Sequence, residues 1–190
     1  VCAQVQPVSP DEAHSWLRYT VPLPKTIAIQ GKVTCAPSSV AIVTPASGDI
    51  LVNQARAELL EALHLPAGYT NPPAPTFTVT MVLGGPEADS LAALKNSGQA
   101  SLVTIEPANG GIRLVALEPA GLYYAVKTFQ QLVIPFAPDS SLVLPLFEMT
   151  DWPDMADRGV WGSDHFAHLR WMGDRKMNHG EQISKRSVTS

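Results

Sequence analysis

The spacing of apolar residues predicts two helices in this chain. Between residues 49 and 65 apolar residues recur three or four positions apart, Asp49 can cap the start, and Pro66 follows the last turn. A second stripe of the same period starts at Gly121 and ends at Pro135. Each stripe covers one helical face, so both helices should pack against a core.

Short runs rich in β-branched residues, separated by glycine and proline, predict a sheet. Pro22 and Pro24 make an extended entry to an edge strand within residues 19–33. Asn109-Gly110 favours the positive φ of a tight hairpin. The other predicted strands cover residues 39–43, 77–85, 101–107, 111–119 and 142–149, with one helical turn around 91–94. These elements predict an α+β fold, a mostly antiparallel sheet with two helices on one face.

Composition and charge narrow the classes of partner. Hydrophobic residues make up 45% of the chain and charged residues 16%, which predicts a folded domain with a real core. The net charge of −4 argues against nucleic acid or an anionic membrane surface, because those partners are bound by clustered Lys and Arg. No run of about 18 apolar residues occurs, so no membrane span is predicted.

The first residues and the cysteines bear on the cellular compartment. Val1 and Ala3 have the small-residue spacing that precedes a signal-peptidase cut, which predicts an exported protein, periplasmic or extracellular. Cys2 and Cys35 are the only cysteines. They permit one disulfide in an oxidising compartment, and two unpaired buried thiols are equally compatible with the sequence.

Residues 101–132 carry a resemblance to a known family. Their two strands, glycine and paired aromatics, followed by Thr128, Gln131 and Leu132, resemble the end of the N-terminal domain that precedes the catalytic barrel in family 20 β-N-acetylhexosaminidases. Residues 22–31 resemble the opening strand of that domain. Related domains, with a layered zincin-like architecture, precede the barrels of family 84 and family 67 glycosidases.

The stretch after this domain resembles the entry to the barrel. Asp151, Pro153, Arg158 and Gly159 match an Asp-x-Pro followed by Arg-Gly, and residues 165–178 look like the first barrel helix. After Arg-Gly the sequence departs from family 20 and is faintly closer to family 84. The resemblance implies an N-terminal segment (1–18), an α+β glycosidase N-terminal domain (19–150), and a linker with the first β/α unit of a truncated TIM barrel (151–190).

The family resemblance also implies a chemistry that this chain lacks. In family 20 the substrate's acetamido oxygen attacks the anomeric carbon, a Glu donates the proton and an adjacent Asp orients the acetamide. That Asp-Glu pair follows the fourth barrel strand. The only Asp-Glu pair here is Asp11-Glu12, which is predicted to lie in a solvated N-terminal turn. No catalytic residue is therefore predicted in this chain.

One residue is carried over as a substrate contact, conditional on an intact barrel. The resemblance implies that Arg158, at the end of the first barrel strand, binds hydroxyl groups of the terminal sugar. The alternative is a structural ion pair with Asp151, Asp154 or Asp157. Trp152 could stack on a sugar, but packing at the domain junction is the favoured interpretation of that residue and of Trp161, as core packing is for Tyr123 and Tyr124.

No cofactor or metal site is predicted. His165, His168 and His179, with Asp164 and Asp174, lack the His-Glu-x-x-His pattern in which two ligands flank a base. The paired glycines lack the strand-to-helix spacing of a nucleotide-binding loop. A metalloprotease-like domain would share the layered architecture, but the zinc motif is missing.

The sequence thus predicts a non-catalytic supporting domain of a glycoside hydrolase, with a carbohydrate that contains N-acetylhexosaminide as the partner of the parent barrel. The alternative is a free-standing carbohydrate-binding or protein-interaction module.

Overall fold

A computed structural model describes residues 5–106, 110–136, 141–162 and 165–182 of the chain. The chain divides into two compact units, Val1–Asp154 and Met155–Ser190. Among the described residues, no helix is long and apolar enough to cross a membrane.

The described residues of the first unit form three α-helices and six strands. In chain order these are α1 (Pro10–Leu17), β1 (Thr26–Cys35), β2 (Val40–Val43), α2 (Ile50–Ala62), β3 (Phe77–Leu83), β4 (Ser101–Glu106), β5 (Gly111–Ala116), α3 (Pro119–Val133) and β6 (Leu142–Asp151). Short 3₁₀ segments lie at Pro37–Ser39, Pro86–Ala93, Ser97–Gln99 and Ile134–Phe136. The predicted turn at Asn109 falls outside the described residues.

The six strands form one mixed sheet in the order β1-β6-β4-β5-β3-β2. The prediction of an α+β fold is confirmed, but the prediction of a mostly antiparallel sheet is wrong. Among the described residues, β3 pairs in parallel with both β2 and β5, and the other three pairings are antiparallel. Helix α2 connects β2 to β3, which is the long crossover that parallel neighbours require.

The main core joins the helices to the strands. Helix α3 packs against α2 and against β3, β4, β5 and β6. Because α3 is enclosed by so many elements, it is buried almost all round. The largest fully buried side chains of this core are Trp16, Leu59, Leu63, Phe77, Ile112, Leu114, Leu122, Phe129, Leu132, Leu142 and Phe147.

A second, smaller cluster covers part of the opposite face of the sheet. Leu114 belongs to the main core and its neighbour Val115 to the small cluster, and successive strand residues point to opposite faces. The small cluster also contains Ala88 and Leu91 of the 3₁₀ segment Pro86–Ala93. This segment replaces the single helical turn predicted around residues 91–94.

A short bridge and two side chains satisfy some of the backbone groups at the two edges of the sheet. β1 is an edge strand, as predicted, and Gln6 exchanges backbone hydrogen bonds of 2.9 and 3.0 Å with Lys32 on its outer side. At the β2 edge, the Asn71 side chain accepts from the N–H of Ile42 and donates to its carbonyl, at 2.9 and 2.8 Å. Tyr69 Oη donates to the carbonyl of Val40 at 2.7 Å.

A proline lies in the middle of β6. Pro145 faces Lys32 of β1, whose own N–H and carbonyl are bonded to Gln6 instead. The pairing between β6 and β4 extends only from Asp151 to Met149. Neither neighbouring strand therefore uses the N–H that a proline lacks, which is why the strand tolerates it.

Helix α1 is an element that the sequence analysis missed. Ser9 caps it, Pro10 occupies the first turn, and Trp16 is its one buried residue. Asp11 and Glu12 lie in the first turn of this helix, not in an isolated solvated turn, and Glu12 forms an ion pair with Lys32. An eight-residue helix with a single buried side chain shows too little periodicity to be recognised.

The first unit contains a single described cysteine. Cys35 is buried at the end of β1 as a free thiol, and burial raises its pKa. Cys2 lies outside the described residues.

The second unit is a β-α-β unit. Strand β7 (Gly159–Gly162) leads into helix α4 (Phe166–Asp174), and β8 (His179–Gln182) returns to pair with β7 in parallel. The predicted helix over 165–178 is therefore shorter than expected. A strand follows it directly, as in the β/α repeat implied by the family resemblance.

Candidate functional site at the start of the β-α-β unit

Arg158 lies immediately before β7 and directs its side chain at backbone carbonyls. Its Nε and Nη2 donate to the carbonyl of Lys176 at 3.1 and 2.8 Å. Its Nη1 donates to the carbonyl of Met155 at 2.6 Å and, less closely, to that of Ala156. The guanidinium thus bridges the segment before β7 and the segment before β8.

The Lys176 carbonyl is presented by the turn that ends α4. Lys176 has φ 57°, and the N–H groups of Lys176 and Met177 donate to the carbonyls of Gly173 and Met172 at 2.9 and 3.0 Å. This is a Schellman motif, with lysine at the left-handed position where glycine is usual. Lys176 is 3% exposed. The turn therefore places a carbonyl toward Arg158 at the cost of an unfavourable backbone conformation.

Asn178 completes the contact between the two segments. Its Oδ1 accepts from the N–H of Arg158 and its Nδ2 donates to the carbonyl of Ala156, both at 2.8 Å. Its own N–H donates to the carbonyl of Arg158 at 2.8 Å. The Arg158 backbone and side chain are consequently both held from the β8 side.

Steric hindrance explains why the residue after Arg158 is a glycine. Gly159 is opposite His179 in the parallel pair, and a Cβ atom on Gly159 would overlap the carbonyl oxygen of His179. Both residues of the Arg-Gly motif thus contribute to the approach of β7 to β8.

The position of Arg158 differs from the one predicted. The family resemblance placed it at the end of the first barrel strand, whereas it precedes the first residue of β7. The described partners of its side chain are backbone carbonyls. Asp154, one candidate partner, pairs with Lys25 at 2.6 Å, and this lysine lowers its pKa.

Trp152 packs within the first unit. It contacts the small cluster that contains Leu91 and Val115, and Lys25 Nζ lies 5.8 Å from its ring centroid. This supports packing over sugar stacking for Trp152. Tyr124 is buried in α3, while the side chain of Trp161 falls outside the described residues.

A buried charged cluster between α2 and α3 was not predicted. Lys127 pairs with Glu58, and their side chains are 3% and 13% exposed. Tyr123 Oη donates to Glu58 at 3.1 Å, Lys127 Nζ lies 5.3 Å from the Tyr123 ring centroid, and it donates to Gln130 at 3.3 Å. Burial raises the pKa of Tyr123 to about 12. The cluster is largely shielded from water, so the two charges depend on each other.

Three of the five histidines lie in the second unit. His165 and His179 are exposed, and His168 stacks on Trp171 with ring centroids 5.7 Å apart. Across the described ranges, no group of three or more His, Cys, Asp or Glu side chains could hold a metal ion. Asp164 lies outside these ranges.

Two open clefts occur on the first unit, and neither includes Arg158. One of about 400 Å³ lies where β4 and β6 diverge and is lined by residues such as Leu102, Glu148 and Thr150. The other, of about 440 Å³, runs along α2 past Arg56 and Leu60. Both are shallow and open to solvent, and no group of catalytic side chains faces either one in the described part of the chain.

Comparison with solved structures identifies the fold. Streptomyces plicatus N-acetyl-β-hexosaminidase, in complex with Thio-NAglucal, matches 94% of this chain at 20% identity with a TM-score of 0.61. The chain therefore has a family 20 hexosaminidase-like fold. A family 20 exo-β-N-acetylglucosaminidase from Vibrio harveyi, in complex with N-acetylglucosamine, matches 93% of the chain at 19% identity with a TM-score of 0.59.

A third solved structure shares the fold. The protein CpGH84B matches 87% of the chain at 16% identity with a TM-score of 0.57. This chain spans 35%, 27% and 30% of the length of these three structures, in the order named. No protein-family model and no curated protein matches it.

Proposed function

We propose that this chain is the non-catalytic supporting part of an exported glycoside hydrolase of the β-N-acetylhexosaminidase type. The observation that carries the proposal is the succession of a six-stranded α+β unit and a parallel β-α-β unit. A parallel β-α-β unit is the repeat from which a TIM barrel is built.

The exposed apolar surface of α4 supports the proposal that further β/α repeats follow in the parent protein. Phe166 is 79% exposed, and Leu169 and Trp171 are exposed as well. Large apolar side chains on one short helix are typical of a surface that packs against further structure. In the proposed parent protein, later β/α repeats would cover them.

The catalytic work is assigned to the rest of that parent protein. The described residues contain no adjacent Asp and Glu in a cleft, and a barrel site is formed at the mouth by all eight strands. The substrate class proposed for the parent is a glycan with terminal N-acetylhexosamine. The predicted sugar contact of Arg158 is not part of the proposal, because the described partners of its side chain are the carbonyls of Met155, before β7, and Lys176, before β8.

The proposal is tested on the gene and its full product. Sequencing downstream of Ser190 should reveal further β/α repeats and an Asp-Glu pair, and the full product should release the chromophore from a chromogenic N-acetylglucosaminide. The 190-residue chain alone serves as the matched control and should release none. A gene that ends at this point, with binding of a glycan by the chain itself, would contradict the proposal and favour a free-standing module.

The supporting role has its own test. Deletion of residues 19–150 from the full product should abolish soluble, active enzyme. An unchanged kcat/KM after that deletion would show that the first unit has another purpose. Activity on glucuronides with none on hexosaminides would overturn the proposed substrate class.

A further inference from the structure

We propose that Arg158 is a positioning residue, which together with Asn178 fixes the segment entering β7 to the segment entering β8. The inference goes beyond the proposed function, because it concerns the second unit alone and holds whatever reaction the parent protein performs. It assigns Arg158 a role other than sugar binding.

The first argument is the match between the donors and the acceptors. A guanidinium only donates hydrogen bonds, and its planar fork can serve several acceptors at once. Here it meets the carbonyls of Met155 and Lys176, which lie on the two segments that must be joined. A lysine at position 158 would present one nitrogen and could not span both.

The second argument is the complementary chemistry of Asn178. A carboxamide both accepts and donates, and Asn178 uses one function for the Arg158 N–H and the other for the Ala156 carbonyl. An aspartate would retain only the accepting function. The residue therefore holds the Arg158 backbone while the Arg158 side chain holds the turn after α4.

The third argument is location. Ligand sites of parallel β/α proteins lie at the carboxyl ends of the strands. Arg158 precedes β7 and Asn178 precedes β8, so both lie at the amino ends. Residues at this end serve stability in barrel proteins.

The test measures the Arg158 side chain directly in the 190-residue chain. In ¹⁵N NMR spectra the Nε–H of Arg158, assigned by its loss in R158K, should exchange slowly with water. N178A should accelerate the exchange of the Arg158 Nε–H about tenfold, because it removes both side-chain hydrogen bonds of Asn178. N178D should accelerate it by a smaller factor, because an aspartate keeps the bond to the Arg158 N–H and loses only the bond to the Ala156 carbonyl. D157N, which changes an exposed neighbour in the same loop, is the matched control and should leave the exchange rate within about twofold.

Two results would overturn the inference. The first is an Arg158 Nε–H that exchanges at the same rate in N178A as in the unmodified chain. The second comes from the full-length protein: if R158K leaves the thermal midpoint unchanged but abolishes binding of N-acetylglucosamine, Arg158 is a ligand. The expected result is a lower midpoint with KM for a chromogenic N-acetylglucosaminide within about twofold.

A full-length protein without any hexosaminidase activity would refute the proposed function and not this inference. The exchange rates of Arg158 do not depend on activity, so the two failures remain distinguishable.

Discussion

Substitution of Lys127 by methionine should destabilise the first unit strongly. The change keeps most of the aliphatic stem but removes the ammonium that pairs with Glu58. Both side chains are almost fully enclosed between α2 and α3, so Glu58 would be left as a largely buried charge whose described hydrogen bonds, from Gln54 and Tyr123, both reach Oε1 and not the oxygen that faced Lys127. Loss of one partner of such a pair costs about 3–5 kcal/mol. For a chain of this size, that corresponds to a fall of roughly 6–20 °C in Tm.

A double variant separates the charge effect from packing. Lys127→Met combined with Glu58→Leu removes both charges, and its free energy of unfolding should lie within about 1 kcal/mol of the unmodified chain. Lys95→Met is the matched control, because Lys95 is exposed, and should change stability by less than about 0.5 kcal/mol. Glu58→Leu alone completes the cycle, and the coupling between the two side chains is the destabilisation of the double variant minus the sum for the two single variants.

The assay is urea unfolding followed by far-UV circular dichroism, with the slope compared between variants. If Lys127→Met alone costs less than about 1 kcal/mol, the pair is not buried as described. The reasoning also fails if the double variant is destabilised by the sum of the two single changes, since that would mean that the charges contribute independently.

Three further predictions concern single positions. Gly121→Ala should cost about 3 kcal/mol in urea unfolding, because the new methyl group would overlap the Ala100 carbonyl, whereas Gly48→Ala, which meets nothing, should be nearly neutral. His64→Gly should raise Tm by a few degrees, because exposed His64 occupies the left-handed position (φ 55°) after α2; a lower Tm would contradict this. Because the pKa of Tyr123 is raised to about 12, its contribution to stability should be complete below about pH 10 and be lost as the pH rises towards 12. Tyr123→Phe should remove that loss and the ultraviolet absorbance step near pH 12, and a step unchanged in this variant would show that another tyrosine titrates there.

The sequence was sufficient to predict the helices and strands whose apolar residues recur with a clear period. Helices α2 and α3 and the strands around them were predicted because their apolar residues repeat over several turns or alternations. The pairing of β3 with β2 and β5 was not, since a strand's pattern shows which face is buried and not which neighbour it meets or in which direction. Proline at Pro119 also moved the start of α3 two residues earlier than the predicted glycine.

At the candidate site, the sequence indicated the residue but not its described partners. Arg158 was singled out through a motif, yet its partners are carbonyls whose direction depends on a left-handed turn at Lys176. Lysine gives no signal for that conformation, so the contact is not readable from the sequence. The Glu58–Lys127 pair joins two helices far apart in the chain, and only the packed structure brings it together.

The side chain of Asn71 makes two hydrogen bonds at the β2 edge that a further strand would otherwise make. Because the N–H and the carbonyl of Ile42 are already bonded to Asn71, an extended segment of another molecule cannot use these two groups to pair with β2. Two copies of the chain are therefore less able to pair edge to edge at β2, and this protection requires one side chain and no additional element of secondary structure.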